Sequence, residues 1–222
     1  YCLILVAAVP VYTSESSDGA LILNNLSALP TININSSTDD TTVNFTDAAL
    51  SDSAQTLTIN LNNYQATGGA EFLSITDAGG TNTLETLSLV TASLASSIND
   101  LQTTGVGTTT LNVSGDQDLT ITTALDTEIV TVAAGSFTGA LSATLGATAG
   151  VSVTTGSGAD VITASSTSAD SITLGAGIHM FDLIMWFLKL RPISIQAFGT
   201  KKGNTGTTFK KVSLAVYILN FP

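Results

Sequence analysis

The 222-residue chain has one Cys, one His, one Trp, two Met and four Pro, and no Lys or Arg before Lys189. A lone Cys2 excludes an intramolecular disulfide framework, and one Cys with one His excludes zinc sites of Cys/His spacing. Without Lys or Arg, residues 1–177 cannot neutralise phosphates, which disfavours nucleic acid and anionic membrane surfaces as partners. No apolar run is long enough for a transmembrane helix: Tyr1 to Tyr12 is interrupted by Pro10, and Leu183 to Leu188 is far too short. The first of these runs reads as a buried strand of a fragment rather than the remnant of a signal peptide, because no basic region precedes it.

What the body does contain is sixteen of the seventeen carboxylates, all but Asp182, in a background of Thr, Ser, Ala, Gly, Leu and Val. Its counterions are cations, and a hard divalent ion such as calcium suits such a surface. Short runs alternating apolar residues with Thr or Ser recur at Thr56–Asn60, Phe72–Thr76, Leu84–Leu89, Thr110–Ser114, Leu119–Thr122, Ile129–Val132, Leu141–Leu145, Val151–Val153, Val161–Thr163 and Ser171–Thr173. That period is the one of half-buried strands, and Gly-rich turn formers separate the runs. From Leu111 the anchors Ile121, Val130, Leu141, Val151, Ile162 and Ile172 follow at intervals of nine to eleven residues. A strand this short cannot bury its inward side chains alone, so regular spacing predicts a stack of coils with one continuous core. The expected fold is all-β: a parallel β-helix or β-roll solenoid followed by a non-repetitive C-terminal extension. The expected parts are residues 1–55, a β-rich segment or incomplete coils; 56–177, the solenoid; and 178–222, a basic, aromatic-rich tail that reads as a frame-shifted or capping segment. Residues 92–101 read as one helical turn within an otherwise strand-rich region.

Thr155-Gly-Ser-Gly-Ala-Asp-Val-Ile-Thr163 matches the calcium-binding nonapeptide Gly-Gly-x-Gly-x-Asp-x-U-x at each fixed position but the first. In that pattern Gly156 and Gly158 supply positive φ and a tight turn, Asp160 a carboxylate oxygen, and Ile162 the inward strand side chain. Two units follow in register. One keeps Asp170 but lacks the glycines; the other keeps Gly175 and Gly177 but has His179 where Asp belongs. The candidate metal residues are therefore Gly156, Gly158, Asp160, Asp170, Gly175 and Gly177, with Ca2+ expected at weak or partial occupancy. Asp160 is expected to stack under the turn at Leu174 to His179, and Asp170 under Gly146 to Val151.

Together with Thr81–Leu87, Thr108–Ile121 and Ser136–Ala140, this unit makes the stretch from about Leu84 to Gly177 resemble the repeats-in-toxin (RTX) type of bacterial surface-layer protein. The resemblance implies a right-handed parallel β-roll or β-helix, secretion to the bacterial cell surface, calcium binding without enzymatic activity, and self-association into a surface lattice, with cell-surface polysaccharide as a further partner.

Two other functions fit a β-solenoid. A polysaccharide-acting β-helix enzyme needs a basic residue or paired carboxylates with substrate-binding aromatics, and the body lacks these constellations. Asp116-Gln-Asp118 reads as acidic turn residues between strands rather than a catalytic pair. An ice- or carbohydrate-surface binder would use flat Thr rows such as Thr120-Ile-Thr122, but Thr-x-Thr is not regularly repeated at one place in each coil.

Overall fold

In the computed structural model the chain winds into parallel sheets through successive coils of one solenoid. The structure describes residues 10–175, except 53, 78, 80, 104, 147–149 and 166–167, and beyond them the strands Ser194–Phe198 and Ser213–Tyr217. The expectations placed on the first nine residues, on Gly177, on His179 and on capping by the tail lie outside the described residues.

The first coils each contribute two strands: β1 (Val11–Glu15) and β2 (Leu21–Leu26), then β3 (Thr31–Asn35) and β4 (Thr41–Phe45), followed by a 3-10 turn at Asp47–Leu50. The next two contribute three: β5 (Thr56–Asn62), β6 (Gln65–Ala66) and β7 (Phe72–Asp77), then β8 (Thr86–Thr91), β9 (Ser96–Ile98) and β10 (Asp100–Gln102). Two-strand coils return with β11 (Thr110–Gly115) and β12 (Leu119–Ile121), β13 (Thr131–Ala133) and β14 (Leu141–Thr144), β15 (Ser152–Thr154) and β16 (Val161–Thr163), ending at β17 (Ser171–Thr173). A long sheet runs β1-β3-β5-β8-β11-β13-β15-β17; a second runs β2-β4-β7-β10 and a third β6-β9-β12-β14-β16. The chain divides into two compact units, Tyr1–Phe181 and Asp182–Pro222; in the second, β18 (Ser194–Phe198) pairs antiparallel with β19 (Ser213–Tyr217).

Alternation explains the long sheet. In β5, Leu57, Ile59 and Leu61 are buried while Thr58, Asn60 and Asn62 point outward, because successive side chains leave opposite faces of a strand. Stacking in register turns each inward position into a ladder: Leu57, Leu87, Leu111, Val132, Val153 and Ile172 follow one another across six strands. A neighbouring ladder runs Ile32, Ile59, Leu89 and Val113. Each fully buried Leu, Ile or Val contributes about 1.5–3 kcal/mol, and the ladder shares that contribution with the coils on either side.

The anchors expected at Val130 and Val151 are displaced. The inward strand residues of β13 and β15 are Val132 and Val153; Val130 is only half-buried, and Val151 is buried just ahead of its strand. Residues 92–101 form β9 and the start of β10 rather than a helical turn: Ser96 and Ile98 are buried and pair with Leu119 and Ile121, so tertiary pairing decides the conformation. The stack also begins by Val11, since β1 to β4 belong to the same sheets as the strands after Thr56.

Candidate functional site

The nonapeptide-like turn forms a corner between β15 and β16. Sequence reasoning assigned Gly156 and Gly158 to positive φ, and this is corrected by their backbone, which stays outside the left-handed region. Their requirement is close approach. A Cβ on Gly156 would overlap the carbonyl oxygen of Phe137, one on Gly158 that of Gly139, and one on Gly175 that of Gly156. The corners of three successive coils therefore stack backbone on backbone, as the expected pairing of the Asp160 turn with the segment at Leu174 and Gly175 requires. The carbonyl of Phe137 points along this stack and accepts a hydrogen bond from Ser157 N at 3.0 Å.

Asp160 is 1% exposed, and its Oδ1 accepts from the backbone N of Leu141 at 2.9 Å, one coil earlier. Asp170 does the same on the other edge: Oδ1 accepts from Val151 N at 2.9 Å and Oδ2 from Ser165 N at 2.8 Å. The arrangement is general. Asp40 accepts from Phe72 N at 2.9 Å, Asp47 from Thr81 N and Asn82 N at 2.9 Å, Glu85 from Gln55 N at 2.8 Å, Asp118 from Ala140 N at 2.8 Å, and Asp126 from Thr103 N. Apart from the local bond from Ser165 N, each joins neighbouring coils, and each satisfies a backbone donor with a charged acceptor, worth about 1.5–3 kcal/mol. Burial opposes ionisation of Glu85, but hydrogen bonds from the Gln55 and Glu85 backbone and from the Thr83 hydroxyl outweigh it and hold the carboxyl below its ordinary range.

Calcium takes about six to eight oxygens, commonly from several carboxylates. Asp160 and Asp170 lie on different edges, and among the described residues no three Asp, Glu, His or Cys side chains converge on one point. The donors present thus fit clamping between coils better than a closed calcium cage. Comparison with family models, curated proteins and solved structures returned no match.

Sequence reasoning missed two features. Tyr64 is fully buried, with its hydroxyl hydrogen shared between the carbonyls of Asp39 and Phe72, each at 3.2 Å. Burial, with the charges of Asp40, Asp39 and Glu71, pushes its pKa up to about 12. Tyr64 therefore fills the wide coil as a neutral, hydrogen-bonded side chain.

The second is the outer face of the long sheet. Thr56, Thr86, Thr110, Thr131, Ser152 and Ser171 stand in one row, and Thr58, Ser88, Asn112, Ala133, Thr154 and Thr173 in the next. Thr-x-Thr itself stands at these positions only in β5, as Thr56-Leu-Thr58, so its lack of a regular place in each coil holds; what the register adds is Thr or Ser at ten of the twelve positions. Alternate units belong to different sheets, and the displaced anchor at Val130 hid Thr131. Thr120 stands instead on the third sheet, between Ser97 and Ser142.

Proposed function

We propose that this chain is a non-enzymatic structural solenoid of an extracellular bacterial surface, of surface-layer or adhesin type, that self-associates through its solenoid. The observation that carries the reading is the use of its carboxylates: the acidic corners clamp one coil to the next instead of converging on a substrate. An open cleft of about 440 Å3 lies beside the 3-10 turn, and among the described residues Asp52 is the one ionisable side chain lining it. Among the described residues no helix is long and apolar enough to cross a membrane. A stacked sheet whose end strand is left uncovered offers backbone groups to a further copy, which is a route to end-to-end assembly. Calcium enters as a weak ligand of the acidic corners, screening their mutual repulsion. RTX-type surface-layer proteins are the family this reading draws on.

Calcium titration followed by circular dichroism and light scattering tests it. The expected result is a modest gain in β-structure or scattering at high calcium, with Asp160→Ala less stable by about 1–3 kcal/mol from the unpaired Leu141 N–H. Turnover of a polysaccharide, or a chain that stays monomeric at every calcium concentration, would overturn the proposal.

A further inference from the structure

The two hydroxyl rows on the long sheet are ordered in both directions. Strands stand about 4.8 Å apart and alternate residues about 6.7 Å apart along a strand, so six strands from β5 to β17 present a two-dimensional lattice roughly 24 Å long. Ten of its twelve positions are Thr or Ser, interrupted by Asn112 and Ala133. That regularity constrains the ligand, because a partner that is itself irregular gains nothing from equal spacing in two directions.

The chemistry narrows it further. The body carries sixteen carboxylates, yet none occupies either row, so the face offers nothing to a cation-bearing mineral. Neither row contains an aromatic residue, which leaves no ring for the apolar face of a sugar in a crystalline polysaccharide. None of the ten hydroxyls engages in a side-chain hydrogen bond among the described residues. Outward residues farther along β1, β3 and β5 behave differently: Asn60 donates to Asn33 at 2.7 Å, Asn33 to Thr13 at 3.1 Å, and Asn35 to Glu15 at 2.7 Å. That part of the face is closed upon itself, while the hydroxyl rows hold their donors and acceptors toward solvent. Pairing two such faces would exchange hydrogen bonds to water for similar bonds between hydroxyls, with little net gain. Waters held by the rows keep their bonds, and the methyl groups of the seven Thr residues lie among them.

We propose that this face binds ice: the rows order water at intervals that a crystalline water surface can continue. The inference is independent of the surface-layer reading, which concerns assembly above freezing.

The experiment uses the full chain, with thermal hysteresis and inhibition of ice recrystallisation as readouts. Thr110→Tyr combined with Thr131→Tyr places bulk in the middle of one row; Thr120→Tyr places the same bulk on the third sheet. Circular dichroism confirms that each variant keeps its β-structure. The expected result is ice activity in the parent chain, an activity lower by about tenfold or more in the double variant, and little change in Thr120→Tyr. The proposal is overturned by a folded parent chain without ice activity, or by equal loss in the Thr120 variant. It is also overturned by binding to insoluble cellulose or chitin, or pairing of copies, in the absence of any effect on ice.

Discussion

The wide coils in the middle of the solenoid and the narrow ones at its C-terminal end solve the same stacking problem with different materials. Thr56 pairs with Thr86, thirty residues on, whereas Ser152 pairs with Ser171, nineteen on. The wide coils have three strands and fill their interior with Tyr64, Leu73, Leu84, Leu87 and Leu101; the narrow ones have two and use Val132, Ala143, Val153 and Ile162. Their glycines differ in kind. Gly79 and Gly105 sit at φ of 87° and 95° with nothing near a built Cβ, so they serve turn conformation. Gly156 and Gly158 have no such φ, and backbone from the adjacent coil occupies the space of a side chain. Shortening a coil therefore moves the constraint from conformation to contact.

The largest effect expected follows from that difference. Gly156→Ala should destabilise the chain by about 4–5 kcal/mol, since the added methyl meets backbone rather than a movable side chain. Because coils contact only their neighbours, the loss should show first as hydrogen exchange and proteolysis confined to β14 through β17. Gly69→Ala in a wide coil, with nothing within 4 Å, should change stability by no more than about 0.5 kcal/mol. Equal stabilities for the two variants in denaturant titrations would end the distinction.

Truncation in the ladder comes next. Leu87→Ala leaves a cavity between Leu57 and Leu111 and should cost about 3 kcal/mol. Val153→Ala, between Val132 and Ile172, removes one carbon fewer and should cost about 2 kcal/mol. A larger cost at Val153 would mean that side chains, not glycine corners, hold the narrow coils together.

These contrasts also show what could be read from residues alone. Strict alternation, as in Thr110-Leu-Asn-Val-Ser114, announces a strand because each residue type agrees with one face. Gln65–Ala66 is too short to carry a period, and Ser96–Ile98 is uncovered by any local signal because its conformation comes from pairing with β6 and β12. At the candidate corner the glycines were recognisable, but not their purpose. Close approach depends on the carbonyls of Phe137 and Gly139, some nineteen residues away, which no local motif contains. The hydroxyl rows needed the coil length, and that changes from thirty to nineteen along the chain.

Tyr64 gives a smaller effect with a pH signature. Its folded pKa of about 12 lies above the ordinary 10.0, so the neutral phenol favours folding fully below pH 10.0, and that contribution disappears as pH rises toward about 12. Tyr64→Phe should lose about 1 kcal/mol at neutral pH with its two carbonyl contacts. It should also flatten the decline in stability through the alkaline range. An unchanged slope in denaturant titrations across that range would show that the phenol is not shielded by the wide coil.

The smallest effect probes a corner of the opposite type. Ser16, Ser36, Asn63 and Ser93 all have positive φ, between 49° and 63°, and the register of β1, β3, β5 and β8 stacks them at one corner of the first four coils. A side chain in this conformation costs about 1–2 kcal/mol in an isolated chain, and the stacked neighbours over-determine it here. Ser93→Gly removes that penalty but gives the unfolded chain more freedom, so the two terms nearly cancel and the net change should stay within about 0.5 kcal/mol. Glycine is thus optional at a wide-coil corner that already accommodates a Cβ, and obligatory at a narrow-coil corner that has no room for one. A loss at Ser93→Gly as large as that at Gly156→Ala would show that wide and narrow coils obey a single rule.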